Sequence, residues 1–301
     1  MSFAALETRV EAAAADVDLL TWLAVRFRYF DAATWHTHLT AGRVLHNGDI
    51  ARGDERLAPG DRVAFTPVAA PSITAAVLFA DADLVAVDKP AGAVVQHVSA
   101  FAPTFVPALA ADYPAEPGYR LEPAHRLDRA TSGVLLLART RAAFAALQRQ
   151  FAGGTVEKRY VAVVHGVISP DVFRLDGAIG PASAGGRARH AVVVADHPGA
   201  RPARTDVTVL ARAAGRTLVE LRPHTGRTHQ LRVHLAHAGH PIVGDPFYGP
   251  GDDLDGRLLL HAEALACDHP QSGARLGVAA PRPAELAVGL QGPRRSPEIS
   301  A

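Results

Sequence analysis

Short apolar runs separated by turn residues dominate the chain from residue 74 onward: ITAAVLFA, DLVAVDKPAG, GVLLLART, KRYVAVVHGVI, TDVTVLARA and TLVELRP. Their lengths and β-branched content predict strands. Helical spacing interrupts them only a few times. Phe144, Leu147 and Phe151 predict the inward face of a helix over 141–152, capped by Thr140 and stopped by Gly153. A second helix is predicted over about 228–238, ending at Gly239 and Pro241. Strands outnumber helices and do not alternate strictly with them. The pattern therefore predicts an α+β fold with a mixed, mostly antiparallel sheet rather than a doubly wound parallel one.

Before residue 70 the pattern changes. Leu19, Leu20, Leu23 and Phe27 recur at helical spacing and predict a helix over 7–30. Asn47-Gly48 is a tight-turn dipeptide between Val44-Leu45 and Ile50, and Pro59-Gly60-Asp61 supplies a second turn before RVAF. These pieces predict a compact domain over 1–70, joined through TPVAAPS (66–72) to a second domain over 74–288. Residues 181–204, rich in Gly, Pro and Arg, predict a long mobile loop, and 289–301 a disordered tail.

Composition changes this picture little. A length of 301 residues suits two domains. Lys plus Arg is 31 against 30 for Asp plus Glu, a net charge of +1, so any nucleic-acid surface must come from local arginine clusters. The single cysteine, Cys267, argues against an internal disulfide framework and a multi-cysteine zinc site, and suits a reducing compartment. The start lacks the basic-then-apolar order of a secretory leader, and no uncharged apolar run approaches the ~20 residues of a membrane span. A soluble, cytoplasmic monomer without membrane association is expected.

Candidate chemistry begins with HRLDRATSG, residues 125–133. Asp128 lies between Arg126 and Arg129, an arrangement that on an open surface contributes little. Guanidiniums nearby favour the ionised carboxylate, which suits a nucleophile or fixed charge better than a proton donor. Glu122 is the one other carboxylate close by, which weakens a two-carboxylate glycosidase reading. Ser132 is no nucleophile elbow, because Ala130 and Val134 occupy the positions that need glycine. Thr131 and Ser132 are expected instead to hydrogen-bond the loop that carries Asp128.

Lys158, Tyr160 and Ala162 share one face of a strand, where a tyrosine either packs or offers a base-stacking platform worth about 1–3 kcal/mol per base. The densest polar stretch is RPHTGRTHQLRVHLAHAGHPIVGDPFYG, residues 222–249. His234, His237 and His240 recur every third residue there, but without the His-Glu-x-x-His pattern and with the third past Gly239, so no metal site is expected. Arg222, Arg227 and Arg232 suggest a helix start and loop that hold anions.

HRLDRATSG, KRYVAVV and GRTHQLRVHLAHAGHPIVGDPFYG, in this order, closely resemble the RluA-type family of pseudouridine synthases, with LVAVDKPAG (84–92) upstream and LLLHAEAL (258–265) downstream. The likeness covers about residues 74–285. It implies the pseudouridine synthase fold and isomerisation of uridine in ribosomal or transfer RNA, with no cofactor and no metal. By resemblance Asp128 is the nucleophile, Tyr160 stacks on the target base, and Arg227 pairs with the nucleophile. Arg126 matches the arginine that enters the RNA helix where the uridine has flipped out. His125, Arg129, Lys158 and Arg232 are expected to contact RNA.

GRVLHNGDIARGDERLAPGDRV resembles an S-four-type RNA-binding domain, while YFDAATWHTH lacks the Ser-Arg pair usual there and implies weak RNA binding. Two rival readings are a catalytically silent RNA-binding or ribosome-assembly factor and an N-glycosidase that releases free uracil. Asp128, Tyr160 and Arg227 occurring together argue against the silent factor.

Overall fold

The computed structural model describes residues 5–27, 30, 32–68, 73–95, 104–184, 187–250 and 257–291. The described residues up to 68 form one compact unit, and those from 73 onward, apart from Thr104, form another.

In the first unit β1 (Leu6–Arg9), α1 (Leu19–Arg26), α2 (Ala32–Thr40), β2 (Val44–His46), β3 (Asp49–Ile50) and β4 (Arg62–Phe65) follow in order. The strands make an antiparallel sheet of order β1-β4-β2-β3. Trp35 is fully buried, with Phe30 and Phe65 edge-on to its ring at 5.2 and 4.9 Å. The Asn47-Gly48 turn forms as expected, both residues at positive φ (53° and 101°), the conformation a two-residue hairpin needs. The helix expected over 7–30 is corrected. Leu6–Arg9 is a strand because it pairs in register with β4, and Glu7 pairs with Arg62. The helix starts only at Asp18, whose side chain accepts from Thr21 N at 2.8 Å.

The second unit contains β5 (Ala76–Ala80), β6 (Leu84–Lys89), α3 (Val106–Asp112), β7 (Glu122–Pro123), β8 (Ser132–Ala138), α4 (Arg141–Gly153) and β9 (Glu157–His165). Then come β10 (Val172–Asp176), β11 (Ala178–Ala184), β12 (Arg187–Val193), β13 (Arg204–Ala213), β14 (Arg216–Pro223) and α5 (Gln230–His237). β15 (Leu260–Asp268), β16 (Arg275–Ala279) and α6 (Ala284–Leu290) complete it. One sheet runs β10-β13-β14-β9-β15-β8-β6-β5, with β16 on β15 and β7 on β8. β8 and β15 pair in parallel, and the other pairs are antiparallel. This is an α+β architecture with a mixed, mostly antiparallel sheet.

The unbroken apolar run of β8 has a physical cause: both faces of the strand are buried. Val134 and Leu136 join Leu147 of α4 in one core, while Leu135 and Leu137 join Phe105 and Leu109 of the α3 side in another. A third core, with Ala162, Val164 and Leu221 of β9 and β14, receives Leu231 and Leu235 of α5. Helix α5 is thus fixed against the sheet, and the loops at its start are fixed with it.

Three expectations are corrected at the edges. Helix α4 is capped by Thr140 as expected, but its left-handed stop is Gly154 (φ 72°), not Gly153. The stretch 181–204 is not simply a mobile loop, since β11 and β12 pair residue for residue from Ala178↔Val193 onward. Its Gly, Pro and Arg content masked Val192 and Val193, the β-branched end of the second strand. Helix α6 extends to Leu290, inside the tail expected at 289–301, and residues 292–301 lie outside the described residues. No helix among the described residues is long and apolar enough to cross a membrane.

Candidate active site

Asp128 stands in the loop between β7 and β8. Leu127 anchors that loop from beneath, in the core with Leu135 and Leu137. The Asp128 carbonyl accepts from Thr131 N at 3.1 Å, closing a turn directly before β8. Ser132 Oγ bonds His261 Nδ1 of β15 at 2.9 Å. Gly133, at φ 112°, faces the Ala262 backbone so closely that a Cβ there would overlap it. Thr131 therefore closes the loop on itself, while Ser132 and Gly133 seat it against β15.

Lys89, at the end of β6, braces the loop from the side. It is fully buried, and its Nζ donates to the carbonyls of Pro90, Ala93 and Arg129 at 3.0, 2.9 and 3.0 Å. Three acceptors match the three protons of an ammonium. Burial pulls the Lys89 pKa down to about 7, while the Asp128 charge pulls the other way. Arg129 Nε donates to Gly92 O at 3.1 Å, tying the same two loops together.

Arg232 reaches Asp128 from α5. Its Nε and Nη2 grip both oxygens of buried Asp245 at 2.8 and 2.7 Å, and its Nη1 donates to Asp128 Oδ2 at 3.1 Å. The guanidinium lies 5.3 Å from the ring centres of both Phe247 and Tyr248. Burial opposes the arginine's charge, but Asp245 and Asp128 outweigh it, and the Arg232 pKa stands above its ordinary value. Asp245 Oδ1 also accepts from the backbone N–H of Phe247 and Tyr248 at 2.9 and 3.2 Å. The cation is fixed on one side and offered to Asp128 on the other. The Asp128 side chain is 23% exposed, and its Oδ1 has no hydrogen-bond partner among the described residues. One oxygen is held and the other is open, which suits attack on an electrophile.

Tyr160 comes from β9, between Leu221 of β14 and Ala262 of β15. Its ring packs on the core that holds Leu127 and on the one that includes Ala130. Burial, with the Asp128 charge added, pushes its hydroxyl far above the usual tyrosine range, so it stays protonated.

The structure rearranges other expected roles. Arg227, expected to pair with Asp128, turns away: its Nε donates to Pro202 O at 2.9 Å. The cause is local, because Gln230 Oε1 accepts from Arg227 N at 3.0 Å and from Thr225 Oγ1 at 2.7 Å, closing the loop before α5. Arg232, one helical turn on, faces Asp128 instead. Expected to contact RNA, Arg232 is instead buried between two carboxylates, Asp128 and Asp245.

His125, also expected to contact RNA, is half-buried and bonded inward. Its Nε2 accepts from Leu136 N at 3.1 Å and its ring lies 4.9 Å from that of Phe151. Burial, with Lys158 nearby, pulls its pKa down to about 3, so it is neutral and able to accept. Lys158 Nζ donates to Thr225 O at 3.3 Å, and burial lowers its pKa, with Arg227 adding to that. Arg126 is exposed, with no hydrogen bond or ion pair among the described residues.

Sequence reasoning gave no role to Lys89, Asp245, His229 or Tyr248. All four lie inside the quoted motifs, but each has a partner far enough along the chain (Arg129 for Lys89, Arg232 for Asp245, Tyr248 for His229) that the pairing is not written in local spacing.

The histidines of the polar stretch do not converge on a metal. His234 bonds Thr205 Oγ1 and Gly177 O at 3.1 and 3.2 Å, and His240 Nδ1 bonds His165 O at 2.9 Å. Asp81, Asp83 and His269 do lie close enough together to share an ion. There, however, His269 Nε2 is taken by Asp81 at 2.6 Å, and Nδ1 accepts from Gln271 N and Ser272 N at 3.3 and 3.2 Å. That cluster ties the β15–β16 turn to the β5–β6 turn.

A carboxylate held by a buried arginine stands beside a half-buried tyrosine on the mixed sheet, and comparisons with known proteins give the family of the chain. Residues 83–237 match the family model described as RNA pseudouridylate synthase. The ribosomal large subunit pseudouridine synthase D of Xanthomonas campestris is 36% identical, over 88% of this chain and 85% of its own. The dual-specificity RNA pseudouridine synthase RluA of Salmonella typhi is 40% identical, over 65% of this chain and 88% of its own. The solved human RNA pseudouridylate synthase domain containing 1 superposes with a TM-score of 0.60 at 30% identity, over 71% of this chain and 86% of that one. The chain belongs to the RNA pseudouridine synthase family and is an isomerase of that kind.

Proposed function

We propose that this enzyme isomerises uridines of ribosomal or transfer RNA, with Asp128 as the nucleophile acting on a base flipped out of its helix. The observation that carries the reading is the state of Asp128: Oδ2 is held by Arg232 at 3.1 Å while Oδ1 is left open. In the reaction the bond from ribose C1′ to uracil N1 breaks and the ring turns. Uracil C5 then bonds C1′, C5 loses its proton and N1 gains one. Asp128 is suited to hold the sugar or the base as a covalent partner while the ring turns. Half-buried, protonated Tyr160 offers a flat face beside it for the uracil.

The target class rests on the relatives, one of which is named for the large ribosomal subunit and one for dual specificity. Exposed Arg126 is free to enter the gap left by the flipped base. Arg227 lies close to Arg201, and the two form a cationic edge suited to phosphate. The first unit adds RNA contacts and no chemistry.

The test uses transcribed ribosomal and transfer RNAs carrying 5-tritiated uridine. The wild-type protein should release tritium without free uracil, and Asp128→Asn should bind the same RNA and release none. Free uracil would indicate a glycosidase. Binding without any release would indicate a silent RNA-binding factor, and turnover by Asp128→Asn would remove Asp128 from its role.

A further inference from the structure

His229 has no part in the roles described so far. It stands at the N-cap of α5 with φ 56°, a left-handed backbone that costs a bulky residue energy. Its side chain makes no capping bond, so the strain does not serve the helix end. What the conformation achieves is the aim of the ring. Its Nε2 faces Asp128 Oδ2 at 3.9 Å, and its Nδ1 is 2.9 Å from the Tyr248 hydroxyl.

The tautomer follows from the partners. The Tyr248 oxygen already accepts from His190 N of β12 at 3.3 Å. Nδ1 is the one acceptor for the hydroxyl proton among the described residues, so the tyrosine donates to it and the imidazole proton sits on Nε2. That proton points toward the carboxylate. Burial pulls the His229 pKa down, against the pull of Asp128, which keeps the ring neutral and the arrangement intact. The ring is also wedged by Phe247 and Tyr248, at 6.0 and 5.6 Å between centres, the same two rings that carry Arg232.

We propose that His229 is a positioning residue for Asp128, set by Tyr248, whose hydroxyl is anchored on the backbone of the β11–β12 hairpin at His190. The proposal rests on the reading of Asp128 as nucleophile. Arg232 and His229 approach the same oxygen, Oδ2, and leave Oδ1 for the substrate. Because Tyr248 is anchored on β12, the seating of the hairpin becomes a condition for the geometry of the nucleophile. His190 lies 58 residues before Tyr248 in the sequence, so the link exists only through the fold.

The experiment compares substitutions chosen for the left-handed backbone, in the full-length chain. His229→Asn tolerates that conformation and keeps an acceptor for Tyr248, but cannot reach Asp128. His229→Gly removes the ring and relaxes the backbone. His229→Gln carries a donor out to the place of Nε2. With a reactive 5-tritiated RNA, Asn and Gly should lower the single-turnover rate at saturating RNA about 10- to 100-fold. Gln should recover part of the loss, with Kd for RNA within a few-fold and thermal unfolding near wild type. Tyr248→Phe should lower the rate similarly, and the double variant Tyr248→Phe with His229→Asn should be no slower than the slower single one, as expected for one chain of contacts.

A wild-type rate for His229→Asn, a loss confined to Kd, or multiplied effects in the double variant would each overturn the proposal. If Asp128→Asn kept its activity, the reading of the nucleophile would fall instead, and the two failures are told apart by that control.

Discussion

Arg232 donates to Asp128 across 104 residues of sequence, at 3.1 Å, while its other two nitrogens hold Asp245. A planar fork can bind one carboxylate with two hydrogen bonds and still present a third donor to another, which an ammonium cannot do.

Arg232→Lys should therefore keep the charge and lose the geometry. Its single-turnover rate at saturating RNA should fall about 100-fold or more, with a lower melting temperature because the buried Asp245 loses its paired donors. Arg227→Lys should leave that rate within a few-fold and weaken RNA binding modestly, since its side chain holds Pro202 O and not Asp128. Single-turnover rates and binding curves for both variants check this. The reverse ranking of rates would restore Arg227 as the partner of Asp128.

Gly133→Ala should be severely destabilising. Its positive φ is unfavourable for alanine, and the added Cβ would overlap the Ala262 carbonyl where β8 and β15 pair. A loss of about 3 kcal/mol corresponds to a fall of roughly 6–12 °C in Tm for a domain of this size. Gly153→Ala, where a Cβ meets nothing within 4 Å, is the matched control and should be close to neutral. Thermal unfolding of the two variants decides it, and equal melting temperatures would contradict the close approach.

Acid should destabilise the fold through His125. Unfolded, it titrates near 6.5, and in the fold burial holds it near 3. Between those values the unfolded chain binds a proton that the folded chain refuses. This contribution is whole above about pH 6.5 and is lost as pH falls toward 3. His125→Gln keeps an acceptor for Leu136 N without the titration. The stability of the wild type should drop relative to that variant by on the order of 2 kcal/mol between pH 7 and 4.5, from 1.36 kcal/mol per unit reduced for partial exposure. Parallel stability curves against pH would show that His125 does not titrate this way.

A chain beginning near Pro71 should fold, because the cores of the second unit contain no residue from the first. Its single-turnover rate at saturating RNA should match the full chain, while its affinity falls and its salt dependence flattens with the loss of phosphate contacts. Rate and salt-titrated binding measurements test the division. A folded truncation that binds normally and cannot react would mean that the first unit completes the site.

By itself, the sequence determined what depends on near neighbours and on the order of motifs. Strands β5, β6, β8, β9, β13 and β14, the Thr140 cap, the Asn47-Gly48 turn and the family were legible because each is written in local spacing or in a set of motifs in fixed order. Tertiary structure decided what depends on partners far along the chain. Leu6–Arg9 became a strand only because β4 was there to pair with it. β12 became ordered because β11 was, in a stretch whose Arg and Gly content resembled a loop. The partner of Asp128 was decided the same way. The resemblance gave the pairing to Arg227 and an RNA contact to Arg232, five residues on, whereas the closure of the Gln230 loop, with the burial of α5, turned Arg232 toward Asp128 and Arg227 toward Pro202. A side chain's type is local, but the direction it points is set by the packing of the element that carries it.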